Sequence, residues 1–240
     1  MPLDVWSEVR DEVSDAFLDQ YASVDLVALI DTCRRFDVQK QFLFDQLEAA
    51  DTYIRFRGFE TWDELLAFSS RLGGSAMAAA APILAPTKPG YEIPAIKTGQ
   101  AILLTQMLSR CAIDQKQNKN FFAQEDLDTC GVVLNRIKVK QTEKPFVQLV
   151  RLYCSRIEKL FHEGSHFANH LDFDGNRSIK SLLQLYWPML MKMKVDPECI
   201  FSDDGVLNGR EILMIKSRHL MGLKSELPIL AKDDHHDHGH

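Results

Sequence analysis

Carboxylates and histidines spaced one helical turn apart occur at several places in this chain, and each place suggests different chemistry. His162-Glu163-Gly164-Ser165-His166 has the form H-E-x-x-H, with His170 one turn further on. On a helix, two histidines so spaced can hold Zn2+ while the glutamate acts as general base. Gly164 weakens the helix that would present them, and no third-ligand pattern follows, so a stripe of surface histidines is the competing reading. Asp11 and Asp15 stand at D-x-x-x-D, which puts two carboxylates on one helix face. They could share Mg2+ or line a solvated face. The tail Asp233 to His240 is rich in histidine and aspartate; such tracts bind transition metals weakly, or are simply disordered and solubilising.

The stretch Gly99 to Val132 has the layout of a metal-binding helix short of its ligands. An apolar helical half gives way to a polar break at residues 115–120, an aromatic pair Phe121 and Phe122, and a fresh helix start at Gln124-Glu125-Asp126-Leu127. This layout resembles the second signature of the squalene/phytoene synthase family, roughly G-x-A-x-Q-L-T-N-I-L-R-D-V-x-E-D followed by a basic stretch and E-D-L-x-x-F-G-V. Gly99, Ala101, Leu104, Thr105, Leu108, Asp114, Glu125, Asp126, Leu127, Gly131 and Val132 match it. Gln106 stands for the family's asparagine, Ser109 for its arginine, Arg110 for its first metal aspartate, Ile113 for its glutamate and Phe121 for its tyrosine.

The resemblance spans about residues 3 to 222 and implies an all-α, isoprenoid-synthase-like helical bundle around an apolar cavity. It implies a family reaction in which two prenyl diphosphates condense head to head, with Mg2+ held between two aspartate-rich helices. On this frame the first metal helix falls before Met1. Asp51, with Arg55 and Phe56, is the counterpart of a family aspartate before an arginine-aromatic pair, and Phe68, Arg71, Gly74 and Ser75 match a further conserved helix. The resemblance therefore points to Asp114 and Asp51 as the catalytic carboxylates, with Asp114 as the metal ligand. Arg110, Arg55, Arg71, Gln106, Lys119, Phe121 and Ser75 are the expected ligand contacts.

Arg110 reverses a charge where the family holds metal. A unit charge ~4 Å from a divalent ion is worth roughly 8 kcal/mol at an effective dielectric near 20, so even after screening the exchange opposes Mg2+. The expected protein is a catalytically impaired relative that binds a prenyl diphosphate or another isoprenoid or lipid. Mg2+ is its cofactor if it is active, and otherwise it has none. The alternatives are an active prenyltransferase with an altered site and a non-catalytic assembly factor that binds a partner protein. Arg110, with Lys116 and Lys119 near it in sequence, could pair with a diphosphate or carboxylate head; equally, it could pair with Asp114 one turn on.

These residues need helices to position them, and the periodicity predicts helices over 4–19, 24–34, 38–50, 65–81, 146–170 and 177–193, with the motif helix starting near Ala95. Thr61 with Glu64 reads as a capping box, and Pro82 as a stop. The adjacent Gly73 and Gly74 suggest either tight helix packing or a ligand near the backbone. No useful strand pattern appears, so residues 1–230 read as one all-α domain and 231–240 as a disordered tail. A chain of 240 residues with 45% hydrophobic and 26% charged residues is ordinary for a globular protein, and its net charge of -6 gives no invitation to nucleic acid. Five unpaired, widely spaced cysteines fit reduced thiols. With an acidic N-terminus and no apolar run long enough to span a bilayer, the expected location is cytoplasmic, with at most peripheral membrane contact.

Overall fold

The structure, a computed structural model, describes residues 3–18, 23–134, 143–202 and 205–220. The expected tail at 231–240 lies outside the described residues. Helices α1 (Leu3–Phe17), α2 (Val24–Arg35) and α3 (Lys40–Ile54) form an outer layer, with the Phe17 and Phe44 rings 6.3 Å apart. Next come α4 (Trp62–Ser69) and α5 (Ser75–Ala80), the central α6 (Glu92–Lys116), the short α7 (Gln124–Cys130), α8 (Lys144–Gly164), α9 (Phe173–Val195) and α10 (Gly209–Leu220). Among the described residues only two isolated β-bridges occur, Phe59 with Ala123 and Pro86 with Leu171, and no strand.

Helix α6 is covered by neighbours on several sides: it packs on α4, α5, α8 and α9. Its buried residues run all round the helix and are mostly small or apolar, from Ala95, Gly99 and Ala101 to Leu104, Leu108 and Cys111. A helix of that pattern belongs in a core rather than on a surface. By contrast α8 has one buried stripe, Phe146, Leu149, Val150, Tyr153, Ile157, Leu160 and Phe161, at the three- and four-residue spacing that buries one face. Where α8 ends, the Thr98 hydroxyl of α6 donates to the Gly164 carbonyl at 2.9 Å. A Cβ on Gly164 would lie 2.5 Å from that hydroxyl oxygen, so the contact requires glycine.

The helix predicted over 65–81 is not continuous. Between α4 and α5 the chain takes a π turn, Ser70–Gly74, and after α5 a 3-10 turn, Ala81–Leu84, that ends at Ala85 with φ 52°. The π turn brings Gly73 against Gly99: a Cβ on Gly99 would sit 2.1 Å from the Gly73 carbonyl oxygen. Tight packing therefore accounts for the glycine at 73. The Thr61 hydroxyl accepts from the Glu64 N–H at 3.3 Å, as the capping box predicts, while the Glu64 carboxylate accepts from the N–H of Glu60 at 2.8 Å. The predicted 146–170 helix likewise changes form, becoming a 3-10 turn at Ser165–His170. All five cysteines are free. No helix among the described residues is long and apolar enough to cross a membrane.

Candidate ligand groove

Where the resemblance implies a cavity enclosed by the bundle, the structure has an open groove of about 480 Å³ beside the motif helix. Its floor is the glycine crossing, Gly73 with Gly99; α6 adds Leu103 and Gln106, α5 adds Met77, and α9 adds Ile179 and Leu182. The volume falls within the range of small-molecule sites, ~300 to 1,000 Å³, and the lining is predominantly apolar, as such sites are.

Polar groups gather where α6 leaves the groove. Gln106, on the groove-lining stripe with Gly99 and Leu103, donates its amide to the Tyr186 hydroxyl of α9. Arg110 and Ile113 follow at the next helical positions of that stripe, and both are exposed. The expected ion pair from Arg110 to Asp114 is not formed: among the described residues Arg110 has no carboxylate within 4 Å. Asp114 is turned inward and only 8% exposed. Burial raises its carboxyl above the ordinary range, against the opposing pull of Arg110 and Lys119. Its backbone carbonyl closes the helix end, accepting from the N–H groups of Gln117 and Lys119, each at 2.9 Å.

Lys119 follows that cap and donates to the Tyr53 hydroxyl at 2.9 Å, its ammonium 4.4 Å from the Tyr53 ring centre. Phe121 stacks on Tyr53 at 6.0 Å and tilts against Phe56 at 4.7 Å, and it helps line a small apolar cavity of about 20 Å³ with Cys111 and Tyr153. Phe121 is thus a packing residue between α3 and α6. The Cys111 thiol there is pushed up by burial.

The other expected site residues lie elsewhere. Asp51 holds Arg55 at 2.8 Å on the exposed end of α3. Arg71 reaches Glu48 at 3.8 Å, a carboxylate that Arg10 also approaches at 3.8 Å. Ser75 is buried and donates back to the Arg71 carbonyl, from the start of α5 to the π turn before it. Each is paired within its own neighbourhood. Asp11 and Asp15 are both exposed on α1.

Among the described residues no group of three or more His, Cys, Asp or Glu side chains could hold a metal ion. At the end of α6 the donor set is one inward-turned carboxylate beside an arginine and a lysine, and it does not fit Mg2+, a hard cation that needs several oxygen ligands. The H-E-x-x-H residues are separated by the change of helix type after Gly164. Glu163 pairs with Lys97 at 3.1 Å and His162 lies edge-on to Trp187 at 5.6 Å.

Residue-by-residue reading missed three groups. Tyr53 and Tyr186 lie far from the motif in sequence, and only packing brings their hydroxyls to it. The third is a buried network: Asp126, 4% exposed, accepts from Arg156 at 2.6 Å, and the nearby Tyr153 hydroxyl accepts from the Ala123 N–H at 2.8 Å. Arg156 also stacks 4.7 Å from the Trp62 ring. The E-D-L match carried the signal for Asp126, whose place here is a clamp between α7 and α8.

Residues 3–209 match the family model described as squalene/phytoene synthase. The chain is 23% identical over 195 residues to the phytoene synthases of Mycobacterium bovis and Mycobacterium tuberculosis, covering 80% of this chain and 65% of each relative. It is 23% identical over 175 residues to the 4,4'-diapophytoene synthase of Staphylococcus haemolyticus, covering 70% of this chain and 60% of that one. The chain thus spans about 65% or less of the length of these curated relatives. A dehydrosqualene synthase solved in complex with a ligand superposes with TM-score 0.80 at 18% identity, covering 93% of this chain and 79% of that one. Squalene synthase HpnC from Alicyclobacillus acidocaldarius superposes with TM-score 0.74 at 16% identity, covering 80% and 73%. At these identities the likeness is one of fold.

Proposed function

We propose that this chain, which belongs to the squalene/phytoene synthase family, keeps the family's groove for an isoprenoid or similar lipid chain and has lost metal-dependent condensation. The observation that carries the reading is the contrast within one helix. Along α6, the stripe Gly99, Leu103 and Gln106 lines an apolar groove, and the same stripe then presents Arg110 and Ile113. Binding a chain needs the first part. Departure of a diphosphate needs charge neutralisation where negative charge develops, and the oxygen ligands that would hold divalent ions for it are missing from the second part.

Diphosphate release from farnesyl and geranylgeranyl diphosphate, with and without Mg2+, tests the proposal, alongside an Arg110→Asp variant. The expected result is no Mg2+-dependent release from the unmodified chain. Mg2+-dependent turnover by that chain would overturn the reading and leave Asp114 as a sufficient carboxylate.

A further inference from the structure

The polar groups at the end of the groove are mostly donors. Arg110 offers five N–H donors and no acceptor. It lies one turn beyond Gln106, is exposed, and among the described residues has no carboxylate within 4 Å. The Tyr186 oxygen accepts from the Gln106 amide, which leaves the Tyr186 O–H free to donate onward. Tyr53 is placed likewise by Lys119, whose ammonium keeps further N–H donors, and Tyr53 is 40% exposed. Neutral acceptors are present too, among them the side-chain carbonyls of Gln106 and the groove-lining Gln46, but the carboxylate on this end of α6, Asp114, is on a residue only 8% exposed. Such a set complements an anion and repels a cation.

Charge limits the size of that anion. Arg110 and Lys119 supply two positive charges, enough for a carboxylate or a phosphate monoester. A diphosphate would bring excess negative charge to the mouth of an apolar groove, where unpaired charge is costly. We infer that the groove takes a lipid with one compact anionic head, a phosphate monoester or carboxylate, held by Arg110 and the Tyr186 hydroxyl without a divalent cation, with the Lys119 charge beyond the helix end adding to the attraction. The inference rests on the proposed reading of the groove as a lipid site, and it replaces the head-group chemistry that Mg2+ would otherwise serve. Arg110 suits the role because its planar fork matches the oxygens of either head bidentately.

Titration calorimetry on the full chain with farnesol, farnesyl monophosphate, farnesyl diphosphate and palmitate, in EDTA and in Mg2+, tests it. In EDTA the monophosphate is expected to bind at least about tenfold more tightly than farnesol, the scale of a charge-assisted hydrogen bond, and Mg2+ should leave that ratio unchanged. Arg110→Gln should erase the ratio, with farnesol binding reporting that the groove survives. Arg110→Lys, which keeps the charge but not the fork, should restore part of it. Palmitate matching the monophosphate, with the same dependence on Arg110, would assign a carboxylate; weak palmitate binding would assign a phosphate. Equal binding of farnesol and monophosphate to the unmodified chain would overturn the head-group inference and leave the groove reading standing. No binding of farnesol or of any prenyl phosphate would overturn the groove reading itself. A diphosphate that outcompetes the monophosphate only with Mg2+ would restore a metal site.

Discussion

At the scale of single residues, the fate of Asp114 follows from the side of α6 it occupies. Burial holds its carboxyl above the ordinary range, so the folded chain binds that proton more tightly than the unfolded chain does. Ionising it therefore costs stability, a penalty that grows as pH rises from the unfolded to the folded pKa and is complete above the latter. Asp114→Asn is expected to stabilise the chain at neutral pH, with the gain vanishing in acid below the ordinary carboxylate range. Urea midpoints at the two pH values check this, and an equal gain at both would show that charge is not the cause. Asp126 carries a buried carboxylate that is paired with Arg156 at 2.6 Å. Asp126→Ala strands the arginine and should cost about 3 kcal/mol in urea unfolding, in line with one-sided removal of buried pairs. A loss below about 1 kcal/mol, the range of exposed pairs, would mean that water already screens this one.

At the scale of elements, the π turn and the glycine crossing act as one feature. The extra residue in the turn lets Gly73 meet Gly99 with backbone against backbone, and both glycines floor the groove. Gly99→Ala places a methyl 2.1 Å from a carbonyl oxygen, so α6 and the turn must separate. The expected cost is about 1 to 3 kcal/mol, as for overpacking elsewhere, together with weaker binding of any groove ligand. Thermal unfolding measured with and without farnesol reads both, and an unchanged midpoint would show that the turn can shift freely. The helix start at Thr61 is a smaller effect: losing its hydroxyl, which accepts from the Glu64 N–H at 3.3 Å, should cost about 1 kcal/mol in Thr61→Ala.

At the scale of the whole molecule, the groove lies where the π turn crosses α6 through Gly73 and Gly99 and α9 packs on α6, with Met77, Leu103 and Leu182 lining it. A ligand that binds the folded chain alone stabilises it by mass action, about 2.7 kcal/mol at a hundredfold excess over Kd. Farnesyl monophosphate should therefore raise the unfolding temperature. Ala76→Phe, at an exposed groove-lining position, should abolish that rise while changing unliganded stability by no more than about 0.5 kcal/mol. A persistent rise in the variant would place the ligand elsewhere.

Local chemistry alone determined much of this protein. The α8 stripe from Phe146 to Phe161, the Thr61 cap and the all-α class are written in periods of three and four residues and in neighbouring side chains, and the structure has them where the sequence puts them. The match from Gly99 to Val132 likewise pointed to the family that residues 3–209 match. Tertiary structure decided what spacing leaves open. Arg110 and Asp114 are one turn apart, yet they do not pair, because the bundle buries one and exposes the other. For Gly73 and Gly74 the sequence left tight packing or a nearby ligand open, and the close crossing of α6 supplies the packing. Tyr53 and Tyr186 were not expected site residues, and their hydroxyls reach Lys119 and Gln106 only because the end of α3 lies beside the segment after α6 and α9 packs on α6. Hydrophobic period is a property of neighbours in the chain, whereas a binding site is a property of neighbours in space, and contacts between residues distant in sequence form only when the helices pack.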